Sequence, residues 1–240
     1  MKYDKVVAVG CSYVKGLYES ESHFAKVISN HFEAEYVNLG KHGSSNDYSY
    51  YRTIEWLNEN DIDSLLVVFG LTSFMRIHHW NNIINDHDTL WVLHKGFKHQ
   101  RTFPFTHPMN KQQILESRDK SIPLSDLESE ENIRIFGDFY MKYLYNEDFF
   151  RKKIEQKLLL LHTLLEKSNS KLIVFNSLDE FEPTQNCLNF FRFVTEENNW
   201  KSHCVDKHKN EGWEWNGHPS EYANLDLGKR IINFLGEQNG

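Results

Sequence analysis

Two side chains near opposite ends of the chain, Ser12 and His218, have the type and setting for acyl-transfer chemistry. Ser12 stands in Gly10-Cys11-Ser12-Tyr13-Val14-Lys15-Gly16, a small-residue turn directly after the apolar run Lys5 to Val9. A Ser at the carboxyl edge of a strand presents its hydroxyl to the space beyond the sheet, and its backbone N–H can help hold a developing oxyanion. His218 lies in Trp213-Glu214-Trp215-Asn216-Gly217-His218-Pro219-Ser220. A Gly-His-Pro turn fixes an imidazole that can act first as base for a hydroxyl and then as acid for the leaving group. Each residue also has a plainer use: Ser commonly caps a helix after a strand, and most histidines pack or face solvent. The thiol of Cys11 is a rival nucleophile beside Ser12.

Two further loops carry polar groups suited to the same space. After the second apolar run comes Asn38-Leu39-Gly40-Lys41-His42-Gly43-Ser44-Ser45-Asn46-Asp47, in which Gly43 can offer a backbone N–H and Asn46 a side-chain amide, or else Asn46 or Asp47 simply starts the next helix. After the third comes Gly70-Leu71-Thr72-Ser73, with Arg76 shortly beyond, a guanidinium that can clamp a carboxylate or phosphate or form a surface ion pair. His78, His79, His87, His94 and His99 invite a metal, but no HExxH or matched carboxylate set accompanies them, so no metal and no cofactor are expected.

The elements that position these groups are legible as alternating runs. Lys5 to Val9, Ala34 to Leu39, Ser64 to Phe69 and Lys171 to Phe175 are short, apolar and β-branched, the pattern of strands buried on both faces of a parallel sheet. Helical patterns lie between and after them, at Ser20 to Phe32, Asn46 to Asn58, Glu147 to Lys167 and Ser220 to Leu235. Strand and helix in alternation predict an α/β sheet covered on both sides. Segment 72–146 is far longer than a usual βα connection and is rich in His and aromatics, including Trp80, Trp91 and His107; it reads as an insertion that serves as a lid, an interface or a packed decoration.

Composition sets outer limits on function. The chain has 240 residues, 40% hydrophobic and 14% aromatic, enough apolar content for a folded core and too much for a disordered chain. No run of about 18 uncharged apolar residues suits a membrane span. Lys and Arg number 27 against 34 Asp and Glu, a net charge of −7 that argues against broad binding to a phosphate backbone. The three cysteines, Cys11, Cys187 and Cys204, have neither disulfide-framework nor zinc spacing. The first residues read as a strand rather than a signal peptide, so a cytoplasmic location is expected.

Taken together, the four blocks in this order resemble the SGNH (GDSL-like) hydrolase superfamily, from Val6 to the last helix. That resemblance implies a single 1–240 domain with a three-layer α/β/α architecture, a flavodoxin-like parallel sheet and the long insertion after the third strand. It also implies Ser12 as nucleophile, Gly43 as an oxyanion donor and His218 as base. Two positions depart from the family pattern. Its Gly-x-Asn reads Gly70-Leu71-Thr72 here, leaving Asn46, the Thr72 hydroxyl or nothing as the third donor. Its Asp three residues before the base is Trp215, so the orienting group is Glu214, Asn216, a backbone carbonyl or a remote residue such as Asp206. The expected activity is that of a serine esterase on a small-molecule or glycan O-acyl ester, a carbohydrate O-acetyl ester first. An O-acyltransferase using the same pair, or a catalytically silent glycan- or protein-binding module, is the alternative.

Overall fold

The structure is a computed structural model and describes residues 2–16, 20–74, 76–81, 86–91, 139, 142–178, 181–187, 190, 200 and 218–237. Four strands form one parallel sheet: β1 (Lys5–Val9), β2 (Glu35–Asn38), β3 (Leu65–Leu71) and, after a hairpin of β4 (Arg76–Asn81) and β5 (Asp86–Trp91), β6 (Lys171–Asn176). The order across the sheet is β2-β1-β3-β6. Register pairs Val7 with Val37 on one side and Val67 on the other, and Val68 with Ile173. Chain direction therefore reverses its winding between β1 and β3. In an open α/β sheet the crevice at that switch point, beyond the carboxyl ends, is where ligands bind.

Period-two alternation within the buried strands divides their side chains between two cores. Val6, Ala8, Leu66, Val68, Ile173 and Phe175 point to one face, which is covered by α2 (Phe24–Phe32) and the closing helix α5 (Glu221–Glu237) through Phe24, Ile28, Leu227 and Ile231. Val7, Val9, Leu65, Val67, Phe69 and Val174 point to the other, covered by α3 (Asn46–Glu59) and α4 (Glu147–Glu166) through Leu57, Ile154, Leu158, Leu161 and Leu165. The result is the expected three layers. Each fully buried aliphatic side chain contributes about 1.5–3 kcal/mol relative to exposure, so the two cores dominate what fixes the sheet.

An ion-pair tether adds to this on the α3–α4 side. Asp47, in the first turn of α3, accepts from Lys153 Nζ at 2.8 Å and also from Lys157 Nζ. Burial by itself raises the Asp47 pKa, but the two lysines more than reverse this and hold the carboxyl below its usual range.

Two segments depart most from the sequence reading. The second helix begins at Phe24 rather than at Ser20, because Ser20 and Ser22 bond each other at 2.6 Å and close a turn, leaving His23 as the N-cap whose ring accepts from Ala25 N–H. The start of the 72–146 segment is an antiparallel hairpin that pairs Arg76 with Trp91 and Asn81 with Asp86. Residues 92–138 of that segment, His107 included, and the side chains of Trp80 and Trp91 lie outside the described residues.

Candidate active site

The Ser12 turn is built by the backbone where β1 stops. Gly10 has φ +153°, and a Cβ there would lie 2.8 Å from Gly70 O at the end of β3 and 2.5 Å from Val14 Cγ2. Glycine thus lets the chain leave β1 pressed against β3. Cys11 is the N-cap of the one-turn helix α1 (Ser12–Lys15), without a side-chain cap bond, so Ser12 is the first helical residue and not the cap. Its N–H belongs to the first turn, where the helix itself offers no acceptor. Ser12 keeps 9% exposure, and among the described residues its hydroxyl forms no hydrogen bond. Cys11 is fully buried in the α2–α5 core, which sets the thiol apart from the crevice.

The loop after β2 is bound to this turn through a single carbonyl. Gly10 O accepts from Lys41 N–H at 3.0 Å and from Ser44 Oγ at 2.9 Å, so the His42–Gly43 tip between them overhangs the Gly10–Ser12 segment. Gly43, with φ 71°, is buried there. Ser45 caps α3 by accepting from Tyr48 N–H at 3.1 Å. Asn46 is consequently free of the capping task and clamps the end of β3 instead: Oδ1 accepts from Thr72 N–H at 2.8 Å and Nδ2 donates to Thr72 O at 3.0 Å. An amide nitrogen carries two hydrogens, so one remains beyond the clamp.

Arg76 ties the same two loops from below. It is buried, and its Nη1 donates to Ser44 O at 3.1 Å and to Thr72 Oγ1 at 2.8 Å. Thr72 Oγ1, as acceptor, retains its own hydrogen as a donor. Gly43, Asn46, Thr72 and Arg76 therefore come together at the carboxyl edges of β1 and β3, held by one hydrogen-bonded lattice.

His218 reaches this edge from the other end of the chain. Pro219 and Ser220 follow it into α5, where Ser220 Oγ accepts from Ala223 N–H at 3.3 Å and Asn224 Nδ2 donates to Ser220 O at 3.0 Å. The imidazole lies over the ring of Tyr13, the residue after Ser12, with centroids 5.3 Å apart and planes tilted by 39°. Tyr13 in turn meets Trp200 edge-on at 6.3 Å. Glu214, like Asn216 and Asp206, lies outside the described residues. Among the described residues no group of three or more His, Cys, Asp or Glu is arranged to hold a metal.

Three aromatic residues at the site carry no sequence motif. His42 is one: burial first, then the charges of His218 and Lys15, push its pKa from 6.5 down to about 4, so it is neutral at pH 7. His23, beneath α1, is likewise pushed to about 4, mainly by burial. Tyr13 is the third. Thirteen histidines dilute any signal for one of them, and the only sequence cue for His42 and Tyr13 is adjacency to Gly43 and Ser12.

No family model and no curated protein matches this chain. Solved structures similar to it across nearly its whole length include the psychrotrophic esterase EstA of Pseudoalteromonas sp., in a form inhibited by monoethylphosphonate, at 8% identity and a TM-score of 0.47, covering 98% of each chain. Another is a lipolytic protein of the G-D-S-L family from Desulfitobacterium hafniense, at 14% identity and a TM-score of 0.42, covering 96% of this chain and 98% of that one. A third is a member of the same family from Veillonella parvula, at 9% identity and a TM-score of 0.45, covering 95% and 96% respectively.

Proposed function

We propose that this chain is a serine hydrolase of SGNH type that cleaves a carboxylic O-acyl ester through an acyl-enzyme. The observation that supports this reading is the bonding of the Gly43 loop to the Ser12 turn at Gly10 O, with the His218 imidazole against Tyr13, the residue after Ser12; Ser12 Oγ and His218 Nε2 are not hydrogen-bonded to each other in this arrangement. Ser12 Oγ attacks the acyl carbon and His218 takes its proton. The tetrahedral oxyanion is held by the N–H groups of Ser12 and Gly43, with the second amide hydrogen of Asn46 or the hydroxyl hydrogen of Thr72 as a third donor. Collapse expels the alcohol, protonated by His218. Water activated by the same imidazole then releases the acid.

Glu214, Asn216, a backbone carbonyl or the remote Asp206 is the orienter in this scheme; a Ser-His pair with a weak orienter still reacts, because oxyanion donors and substrate binding act independently of the triad. The substrate class we favour is a carbohydrate O-acetyl ester, on the strength of the aromatic content of the 72–146 insertion, to which Trp80, Trp91 and His107 belong. Turnover of nitrophenyl acetate and labelling by a serine-directed fluorophosphonate test the chemistry. Both are expected in the wild type, and both are expected to be lost in Ser12→Ala and to fall by about 10³-fold or more in His218→Ala. Undiminished turnover in Ser12→Ala refutes the mechanism. Acetate release from acetylated oligosaccharide, compared with simple alkyl acetates, tests the substrate.

A further inference from the structure

We infer that Asn38, Tyr36 and His23 are positioning residues that set the placement of the Ser12 turn against the Gly43 loop; this inference rests on the hydrolase reading above. Helix α1 has a single turn, and one turn costs more backbone freedom than its hydrogen bonds return. Its terminal carbonyls have no intrahelical partners, so outside groups must hold them. Two side chains do so. His23 Nε2 bonds Val14 O at 2.6 Å, and Asn38 Nδ2 donates to Lys15 O at 3.0 Å.

These two are joined through Tyr36, and backbone N–H donors fix the roles of Asn38 and His23. Gly40 N–H donates to Asn38 at 2.9 Å, which fixes that atom as Oδ1 and turns Nδ2 toward α1. The amide nitrogen also donates to Tyr36 Oη at 2.7 Å. Tyr36 Oη lies 3.2 Å from His23 Nδ1, an atom that accepts from Ala25 N–H at 3.3 Å. Nδ1 is thereby an acceptor, and the ring is neutral with its hydrogen on Nε2, aimed at Val14 O. His23 is 4% exposed, and its burial works in the same direction by disfavouring the imidazolium.

Asn38 is the junction. Its amide grips Lys15 O of the nucleophile turn with one end and Gly40 N–H of the oxyanion loop with the other. A Cβ on Gly40 would come within 2.8 Å of Lys15 N, so the two segments are already in contact there. A change of Asn38 alters the offset between attacking hydroxyl and oxyanion donor, and small misplacements of this kind reduce rate far more than they reduce binding.

The test uses the full chain with Asn38→Asp and Tyr36→Phe. Asp keeps the acceptor for Gly40 N–H but faces Lys15 O with an oxygen. We expect kcat on nitrophenyl acetate and the rate of fluorophosphonate labelling to fall together by about 10- to 100-fold, with KM within about twofold. Tyr36→Phe gives a smaller fall of the same kind. Nitrogen-15 shifts of the His23 ring are expected to show hydrogen on Nε2 alone and no titration between about pH 5 and 8. Variants that label as fast as wild type, or whose loss appears in KM, overturn the inference and leave the hydrolase reading standing. A His23 ring with its hydrogen on Nδ1 overturns it as well, and this measurement decides the matter if Asn38→Asp does not fold. A wild type that neither turns over ester nor labels brings down the hydrolase reading, and with it the catalytic meaning of the relay.

Discussion

His23 makes the fold sensitive to mild acid by an amount that follows from its surroundings. The imidazole is 4% exposed, and burial lowers its pKa from 6.5 to about 4. As pH falls through 6.5 the unfolded chain takes up a proton at this position while the folded chain does not until about pH 4. Folding therefore loses free energy across that window and loses no more below it. The gap corresponds to about 3 kcal/mol, a large fraction of a typical domain's net stability. His23→Gln removes the titration while leaving an amide N–H able to donate to Val14 O. Urea unfolding followed by circular dichroism, at about pH 7.5 and about pH 4.5, gives the stability change of each protein. His42 and Asp47 titrate in both, so the difference between wild type and variant isolates His23. The wild type is expected to lose about 2–3 kcal/mol more than the variant on this shift. Equal losses would mean that the His23 ring is either solvated or already protonated, and would refute the argument from burial.

Two other outcomes follow from the same geometry. Asp47→Asn removes both lysine contacts between α3 and α4; because these side chains keep 27–39% exposure, the expected cost is only about 0.5–1 kcal/mol, shrinking at high salt, as read from thermal melts at two ionic strengths. In the wild type this carboxylate contributes stability above its ordinary pKa and loses it as pH falls through the depressed one. Gly10→Ala places a Cβ 2.8 Å from Gly70 O at φ +153°, so a loss of about 2 kcal/mol or more is expected together with slower fluorophosphonate labelling; a variant as stable as wild type would show that the strand ends separate easily.

Some elements were legible in the sequence because one local signal determines them. Lys5–Val9 is a strand at the predicted bounds, since a β-branched apolar run ending in Gly has few other fates. Glu147–Glu166 is a helix within one residue of expectation, with Asn146 as its cap. The roles of individual polar side chains were less legible, because they depend on partners far away in sequence. Asn46 reads as a cap or a donor; Ser45 takes the cap, and Thr72, 26 residues on, engages Oδ1 and one of the two amide hydrogens. Arg76 reads as a substrate clamp or a surface ion pair, and it is buried with Nη1 donating to Ser44 O and Thr72 Oγ1, partners no local signal names. His23 reads as one residue of a helix that starts at Ser20, yet a serine-serine contact moves the helix start and turns the ring under α1.

The meeting of His218 with Tyr13 has a consequence for the order of events during biosynthesis. A growing polypeptide carries the Ser12 hydroxyl well before the His218 imidazole is made, and that imidazole is steadied by α5, a helix that rests on α2. Any reaction the two groups perform together is withheld until the terminal helix has settled. On the proposed mechanism, chains that lack this contact are inert toward esters, and activity reports the docking of α5 on α2.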